Sequence, residues 1–351
     1  MDLTSYRPLG RSGLIVSPMA LGTMTFGAGR WGVEQAAART IFDAYVDAGG
    51  NFVDTADIYS GGRSEEMLGA FIAGSDTRDR IVLASKFTWN QHPGNPNAGG
   101  NGRKNIHRAL HASLRRLATD YIDLYWLHFW DMVTPIEDVL TTLTDLIGSE
   151  KIRYYALSDV PAWYMTRLAT LAAERGLPGP IALQTQYSLI ERSAEWEHVP
   201  AARELGLGIL PWSPLAGGFL TGKYDRDTSP VGNGRLAGEN PLGQTPFTDR
   251  NWEILTTLKR IAAELGRSPA EVALAWTVAR PGVDSVLIGA SRADQLTDNI
   301  AALNLQLSLD QRTALDRASA PAPAPAFPWS AFGEGVRRSI FGGATVKEWR
   351  T

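Results

Sequence analysis

Residues 51–59 read Asn51-Phe52-Val53-Asp54-Thr55-Ala56-Asp57-Ile58-Tyr59. Phe52 and Val53 make a short apolar run of the kind that crosses a core as a buried strand. The run stops on a carboxylate, Asp54, and a phenol, Tyr59, follows five residues later. Gly61-Gly62-Arg63-Ser64-Glu65-Glu66 then turns the chain into a helix. Two readings compete for this stretch alone. One is an acid/base pair just past a buried strand; the other is a turn-capping Asp and a core Tyr with a satisfied hydroxyl. The rest of the chain decides, because the pattern of a strand followed by a polar residue recurs.

Outward from this stretch, apolar strand-like runs stand at 19–21, 51–54, 81–85, 122–127, 152–157, 182–184, 208–212 and 285–288. Helical periodicity fills 33–48, 64–72, 103–117, 135–147, 161–173, 195–205, 249–265, 268–279 and 292–303. Short buried strands alternating with helices predict a parallel α/β fold. Eight of them predict a closed (β/α)8 TIM barrel. Residues 7–9 and 14–16 flank Gly10-Arg11-Ser12-Gly13 and read as an N-terminal β-hairpin lid. Ser268-Pro269-Ala270-Glu271 and Thr134-Pro135-Ile136-Glu137 both read as an N-cap, a Pro at N1 and an acid at N3. Loops 88–102 and 216–248 are longer than a connection needs, which marks them as functional or mobile. The barrel is expected over residues 1–319. Residues 320–351 form a C-terminal extension: a stiff Pro-rich linker at 320–328, then Trp329, Phe332, Phe341 and Trp349, expected to pack on the barrel or a partner subunit.

Composition narrows the function. The chain has 351 residues, 44% hydrophobic and 20% charged, enough for one large barrel domain. A net charge of −3 offers no basic surface for nucleic acid or anionic membrane. No apolar run approaches the ~20 residues of a membrane span. The absence of cysteine removes thiol chemistry and fits a cytoplasmic protein. Five His without paired spacing argue against a transition-metal site.

Active sites of such barrels lie at the C-terminal ends of the strands. Those positions hold Gly22-Thr23, Asp54, Lys86, His128, Ser158-Asp159, Gln186, Trp212-Ser213 and the run from Gly289 to Arg292. Any one of these is commonly structural: a Lys at a solvated end, a His satisfied in the core. Their convergence on one rim points to chemistry.

The same segments resemble the aldo-keto reductases. The matches are residues 52–59, Ala84-Ser85-Lys86-Phe87, residues 120–128 ending on His128, Gln184-Thr185-Gln186-Tyr187-Ser188-Leu189, Pro211-Trp212-Ser213-Pro214-Leu215-Ala216-Gly217-Gly218 and Ile288-Gly289-Ala290-Ser291-Arg292. The resemblance runs from about residue 7 to 304. It implies NADPH-dependent carbonyl reduction by the tetrad Asp54, Tyr59, Lys86 and His128. The residues suit that chemistry: a carbonyl accepting a hydride becomes an alkoxide and needs a proton, Tyr59 can donate one, Lys86 can stabilise the phenolate and lower its pKa, Asp54 can hold Lys86, and neutral His128 can orient the substrate oxygen. It also implies a cofactor site in which Trp212 stacks on the nicotinamide and Ser158, Asp159 and Gln186 bond its carboxamide. Gly22 and Thr23 join that site from the first strand. Ser213, Pro214, Leu215, Gly217 and Lys223 would line the pyrophosphate. Gly289, Ser291 and Arg292, at a helix start, would hold the 2′-phosphate. Gln295 and Asn299 would reach the adenine. The family usually has Asn where Asp159 stands, and a carboxylate accepts hydrogen bonds without donating.

Met24, Phe26, Trp31, Trp89, Phe129 and Trp130 follow strand ends and read as an aromatic-walled pocket that suits a bulky apolar or sugar-ring substrate, within the class of small-molecule carbonyls and alcohols. In the family the C-terminal segment often borders that pocket. Gly27-Ala28-Gly29-Arg30-Trp31-Gly32 is a literal GxGxxG, but five residues separate it from its strand, where a Rossmann fingerprint allows none. Two functional alternatives accompany the reductase: a non-catalytic cofactor-binding regulatory subunit, and NADP+-dependent oxidation of a sugar or alcohol.

Overall fold

A computed structural model describes residues 1–73, 76–227, 234–237, 246–322 and 338–346. Two short antiparallel strands, β1 (Arg7–Pro8) and β2 (Ile15–Val16), precede eight parallel ones. The eight are β3 (Met19–Gly22), β4 (Phe52–Asp54), β5 (Val82–Phe87), β6 (Ile122–Leu127), β7 (Ile152–Ser158), β8 (Ala182–Gln186), β9 (Gly208–Trp212) and β10 (Val286–Ile288). They pair in chain order from β3 to β9, and β10 pairs with β3. Between β9 and β10 the ring is tied by Ile209, which accepts from the Asp284 N–H at 3.1 Å and donates to the Gly282 carbonyl at 3.0 Å. Each strand matches an expected run to within a few residues.

Alternation along the strands separates two cores. Ala20, Phe52, Ala84, Leu124, Trp126, Ala156, Ala182 and Leu210 pack together inside the ring. The opposite faces, such as Leu21, Val53, Leu83, Tyr125 and Leu157, pack beneath the helices. Those helices are α1 (Gln35–Asp47), α2 (Arg63–Ile72), α3 (Thr77–Arg80), α4 (Arg103–Leu117), α5 (Ile136–Gly148), α6 (Ala162–Glu174), α7 (His198–Leu205), α8 (Asp249–Leu265), α9 (Pro269–Val278), α10 (Ala293–Ala301) and α11 (Leu309–Ala318). No described helix is long and apolar enough to cross a membrane.

The hairpin is a plug at the base and not a lid over the mouth. Leu9 and Val16 are fully buried among the inner residues. Gly10, at φ +57, lies against the Ile181 carbonyl and Gly208, where β8 and β9 begin; a Cβ there would approach that carbonyl to 2.4 Å. Its N–H donates to Asp284 Oδ2 at 2.7 Å. The hairpin therefore seals the N-terminal end and leaves the opposite mouth for function.

Ser268 caps α9 in a reciprocal capping box with Glu271, as its sequence predicts. Thr134 does not cap α5. Its hydroxyl donates to Asp131 Oδ2 at 2.6 Å, and Pro135 takes the cap position without a side-chain bond. Helix α11 is absent from the sequence expectation, although Ser308 and Gln311 form another capping box that marks its start. Of the extension, Trp329, Phe332 and Trp349 lie outside the described residues. Phe341 lies within them and is exposed.

Candidate active site

The strand ends gather at one mouth, around a cavity of about 1310 Å³. Asp54 closes β4 and Lys86 is the penultimate residue of β5. His128 follows β6, Ser158 ends β7, and Gln186 and Trp212 end β8 and β9. Tyr59 opens a short 3-10 turn after β4 in which Ser60 adopts φ 52, and Ser60 Oγ donates to the Phe26 carbonyl at 3.0 Å. That tie fixes the turn carrying the phenol.

Lys86 is fully buried, and Asp54 nearly so. The Lys86 ammonium donates to the Asp54 carboxylate, to the Thr55 carbonyl at 2.9 Å and to the Tyr59 hydroxyl at 3.3 Å. Gln184 Nε2 donates to the second Asp54 oxygen at 3.3 Å. Burial alone would push the Lys86 pKa down, but Asp54 and Tyr59 outweigh it and hold the amine charged. Burial also pushes the Tyr59 phenol above its ordinary value, with Lys86 acting downward and Asp54 upward. The simple expectation of a net-lowered phenol therefore needs correcting: Lys86 offsets desolvation without overcoming it.

His128 meets Tyr59 edge-on, with ring centroids 5.9 Å apart, and Trp89 at 6.2 Å. Burial and the Lys86 charge push its pKa well below the usual range, so the imidazole is neutral at physiological pH. Its Nδ1 is buried and finds no partner among the described residues. A neutral imidazole and a phenol facing one space can both bond a single carbonyl oxygen.

Most of the expected cofactor residues line the same cavity: Gly22, Ser158, Asp159, Gln186, Trp212, Ser213, Pro214, Leu215, Gly217, Lys223, Gly289, Ser291, Gln295 and Asn299. Asp159 sits at φ 46 and accepts the Trp212 indole N–H at 3.0 Å. Burial raises its carboxyl to about 6. After β9 the chain turns through left-handed Ser213, Ala216, Gly217 and Gly218, and a Cβ at Gly218 would come within 3.2 Å of Lys223 Nζ. Gln295 already accepts from the Ser291 backbone N–H at 2.9 Å.

Two expected cofactor residues do not line the cavity. Thr23 is fully buried, sharing a hydrogen bond with Ser64 at 2.9 Å, so it braces α2 and does not line the cavity. Arg292 is exposed outside the cavity wall and pairs with Asp294 at 3.0 Å. On the substrate side Met24, Trp31, Trp89 and Phe129 line the cavity, whereas Phe26 and Trp130 do not. Phe26 is fully buried against Phe71 under the helices, and Trp130 packs outward on Trp163 and Tyr164.

The structure adds two residues that sequence reasoning passed over. Gln184 lies two residues before Gln186 on one strand, hence on the same face; that period of two was the available signal. Arg235 comes from the long loop after β9. Its guanidinium lies 5.3 Å over the Trp31 ring, and its buried Nε finds no acceptor among the described residues. No local pattern marked it. The GxGxxG segment is a loop closing on itself, with the Gly27 N–H on the Val33 carbonyl at 2.8 Å; α1 begins only at Gln35, so it is no dinucleotide turn.

Residues 18–320 match the model of the aldo/keto reductase family. The chain is 36% identical to the uncharacterized oxidoreductase YrpG of Bacillus subtilis, over 86% of this chain and 92% of that protein. It is 37% identical to a probable voltage-gated potassium channel subunit beta of Oryza sativa, over 86% and 91%. It is 32% identical to norsolorinic acid reductase of Aspergillus flavus, over 88% and 79%. The protein belongs to the aldo/keto reductase family.

Proposed function

We propose that this aldo/keto reductase reduces an aldehyde or ketone to an alcohol with NADPH as hydride donor. The observation that carries the reading is the Lys86 ammonium, buried behind a cavity lined by Asp54, Tyr59 and neutral His128, bonded at once to Asp54 and Tyr59. The cavity also suits a bound dinucleotide. Lys223 and Arg235 supply cations, and Arg235 Nε lacks an acceptor among the described residues. When bound, the reduced nicotinamide would supply a hydride to the carbonyl carbon.

The protein's own groups then handle the proton and the charge. His128 and Tyr59 orient the carbonyl oxygen. As negative charge builds there, the Tyr59 O–H donates its proton and the phenolate left behind is stabilised by Lys86. Asp54, held by Gln184, keeps Lys86 in place. Trp31, Trp89 and Phe129 favour an aromatic carbonyl substrate. A panel of aromatic and aliphatic carbonyls, followed by loss of NADPH absorbance, tests the reading. Oxidation of the corresponding alcohols with NADP+ tests the reverse direction.

The likeness to a channel beta subunit supports a second reading, a cofactor-binding regulatory protein. NADPH binding without turnover on any carbonyl would favour it.

A further inference from the structure

We propose that the Asp159 carboxylate biases this site toward the oxidised cofactor, stabilising a positively charged nicotinamide ring over the neutral reduced one. The proposal rests on the reductase reading and assigns Asp159 a positioning and electrostatic role.

The geometry starts from the backbone. Asp159 follows β7 in a left-handed conformation, φ 46, that non-glycine residues seldom adopt. Its N–H donates to the Gln184 carbonyl at 3.2 Å, tying it to β8. Its Oδ1 accepts the Trp212 indole N–H at 3.0 Å, tying it to β9. Ser158 Oγ approaches the other oxygen at 3.4 Å. The carboxylate is thus fixed against the indole inside the cavity that holds Tyr59 and His128.

The reacting carbonyl must lie at Tyr59 and His128. The ring that delivers hydride must lie beside that carbonyl, in the space Trp212 borders. A carboxylate anchored to the Trp212 indole is therefore next to that ring. Hydride loss changes the ring from neutral to cationic, and a fixed anion beside it favours the cation. The effect drives hydride transfer toward alcohol and holds the spent cofactor longer. An amide oxygen could accept the same indole N–H, so the hydrogen bond does not itself require a carboxylate.

Isothermal titration with NADP+ and with NADPH tests the idea, using wild type, Asp159→Asn and Asp159→Leu. At pH 8 the carboxylate is ionised. Wild type should favour NADP+ over NADPH more strongly than Asp159→Asn does, by on the order of tenfold. Asp159→Leu should lose the same preference and weaken both cofactors, because Trp212 loses its acceptor. A variant-free arm uses pH. Burial raises Asp159 to about 6, opposed by the bonds from Trp212 and Ser158 and by the Lys86 charge. The wild-type preference should therefore shrink at pH 5.5, while that of Asp159→Asn stays flat. Equal NADP+/NADPH ratios for wild type and Asp159→Asn at pH 8 would overturn the proposal and leave the reductase reading intact. Failure of wild type to bind either dinucleotide would overturn both.

Discussion

The Lys86 Nζ stands 3.3 Å from the Tyr59 hydroxyl while it also donates to the Asp54 carboxylate. One buried ammonium therefore joins the phenol proposed as proton donor to its anchor, and substitutions on either side should separate chemistry from stability. Tyr59→Phe removes only the donor. Turnover should fall ~10²–10⁴-fold, the usual loss for a general acid, with NADPH affinity nearly unchanged. Near-normal turnover in steady-state assays would remove Tyr59 from the acid role.

Lys86→Met strips Asp54 of its counter-ion and leaves it, inside the barrel, with the Gln184 amide at 3.3 Å. Breaking a buried pair from one side typically costs about 3–5 kcal/mol. Urea unfolding should show a loss of that order, and Lys86→Met combined with Asp54→Asn should recover part of it. Losses that simply add would argue against the pair.

The pH profile of kcat/KM should carry no inflection from His128 in the ordinary imidazole range. Burial and Lys86 hold His128 well below 6.5, so it stays neutral until the solution is clearly acidic. On the alkaline side the rate should fall only as Tyr59 loses its proton, above its ordinary value of 10.0, because burial raises it. An inflection near 6.5 that disappears in His128→Asn would show instead that the ring titrates normally.

Arg292 is exposed and engaged with Asp294, so a 2′-phosphate would have to compete for it. Arg292→Ala should weaken NADPH by about tenfold and leave NADH unaffected. Asp294→Ala should act in the opposite direction and tighten NADPH. Cofactor titrations at low and high salt check both, since an exposed pair is screened. Equal losses for the two cofactors would place the phosphate elsewhere.

Asp57 is fully buried, and neither carboxyl oxygen has a well-formed hydrogen bond among the described residues. Burial and the nearby Glu65 raise it to about 7, against Arg116 and a loose approach by Gln91. Between about 4 and 7 the folded protein holds a proton that the unfolded chain has lost. The stability contribution of Asp57 therefore falls as pH rises through that window. Asp57→Asn does not titrate, so its Tm relative to wild type should be higher at pH 8 than at pH 5. An equal difference at both pH values would mean that Asp57 does not titrate there.

The sequence by itself determined the barrel and brought Asp54, Tyr59, His128 and most of the residues expected at a cofactor to one mouth. The reason is local: a parallel strand buried on both faces reads as an apolar run, and whatever polar group ends it must lie at the C-terminal mouth. Asp54, Lys86, His128, Gln186 and Trp212 could be read that way, one strand at a time. Residues beyond the strand ends could not, because nothing local fixes where a loop side chain turns. Phe26 and Trp130 follow the same strands as Met24 and Phe129 yet pack into helix layers. Thr23 adjoins Gly22 but braces α2. Arg235 reaches the cavity from a distant loop, and the hairpin chose the base because Gly10 fits against β8 and β9 there. Asp159 shows the limit most clearly. Its place at the end of β7 was legible, but its partner, the Trp212 indole 53 residues further on, exists only once the barrel sets β7, β8 and β9 side by side.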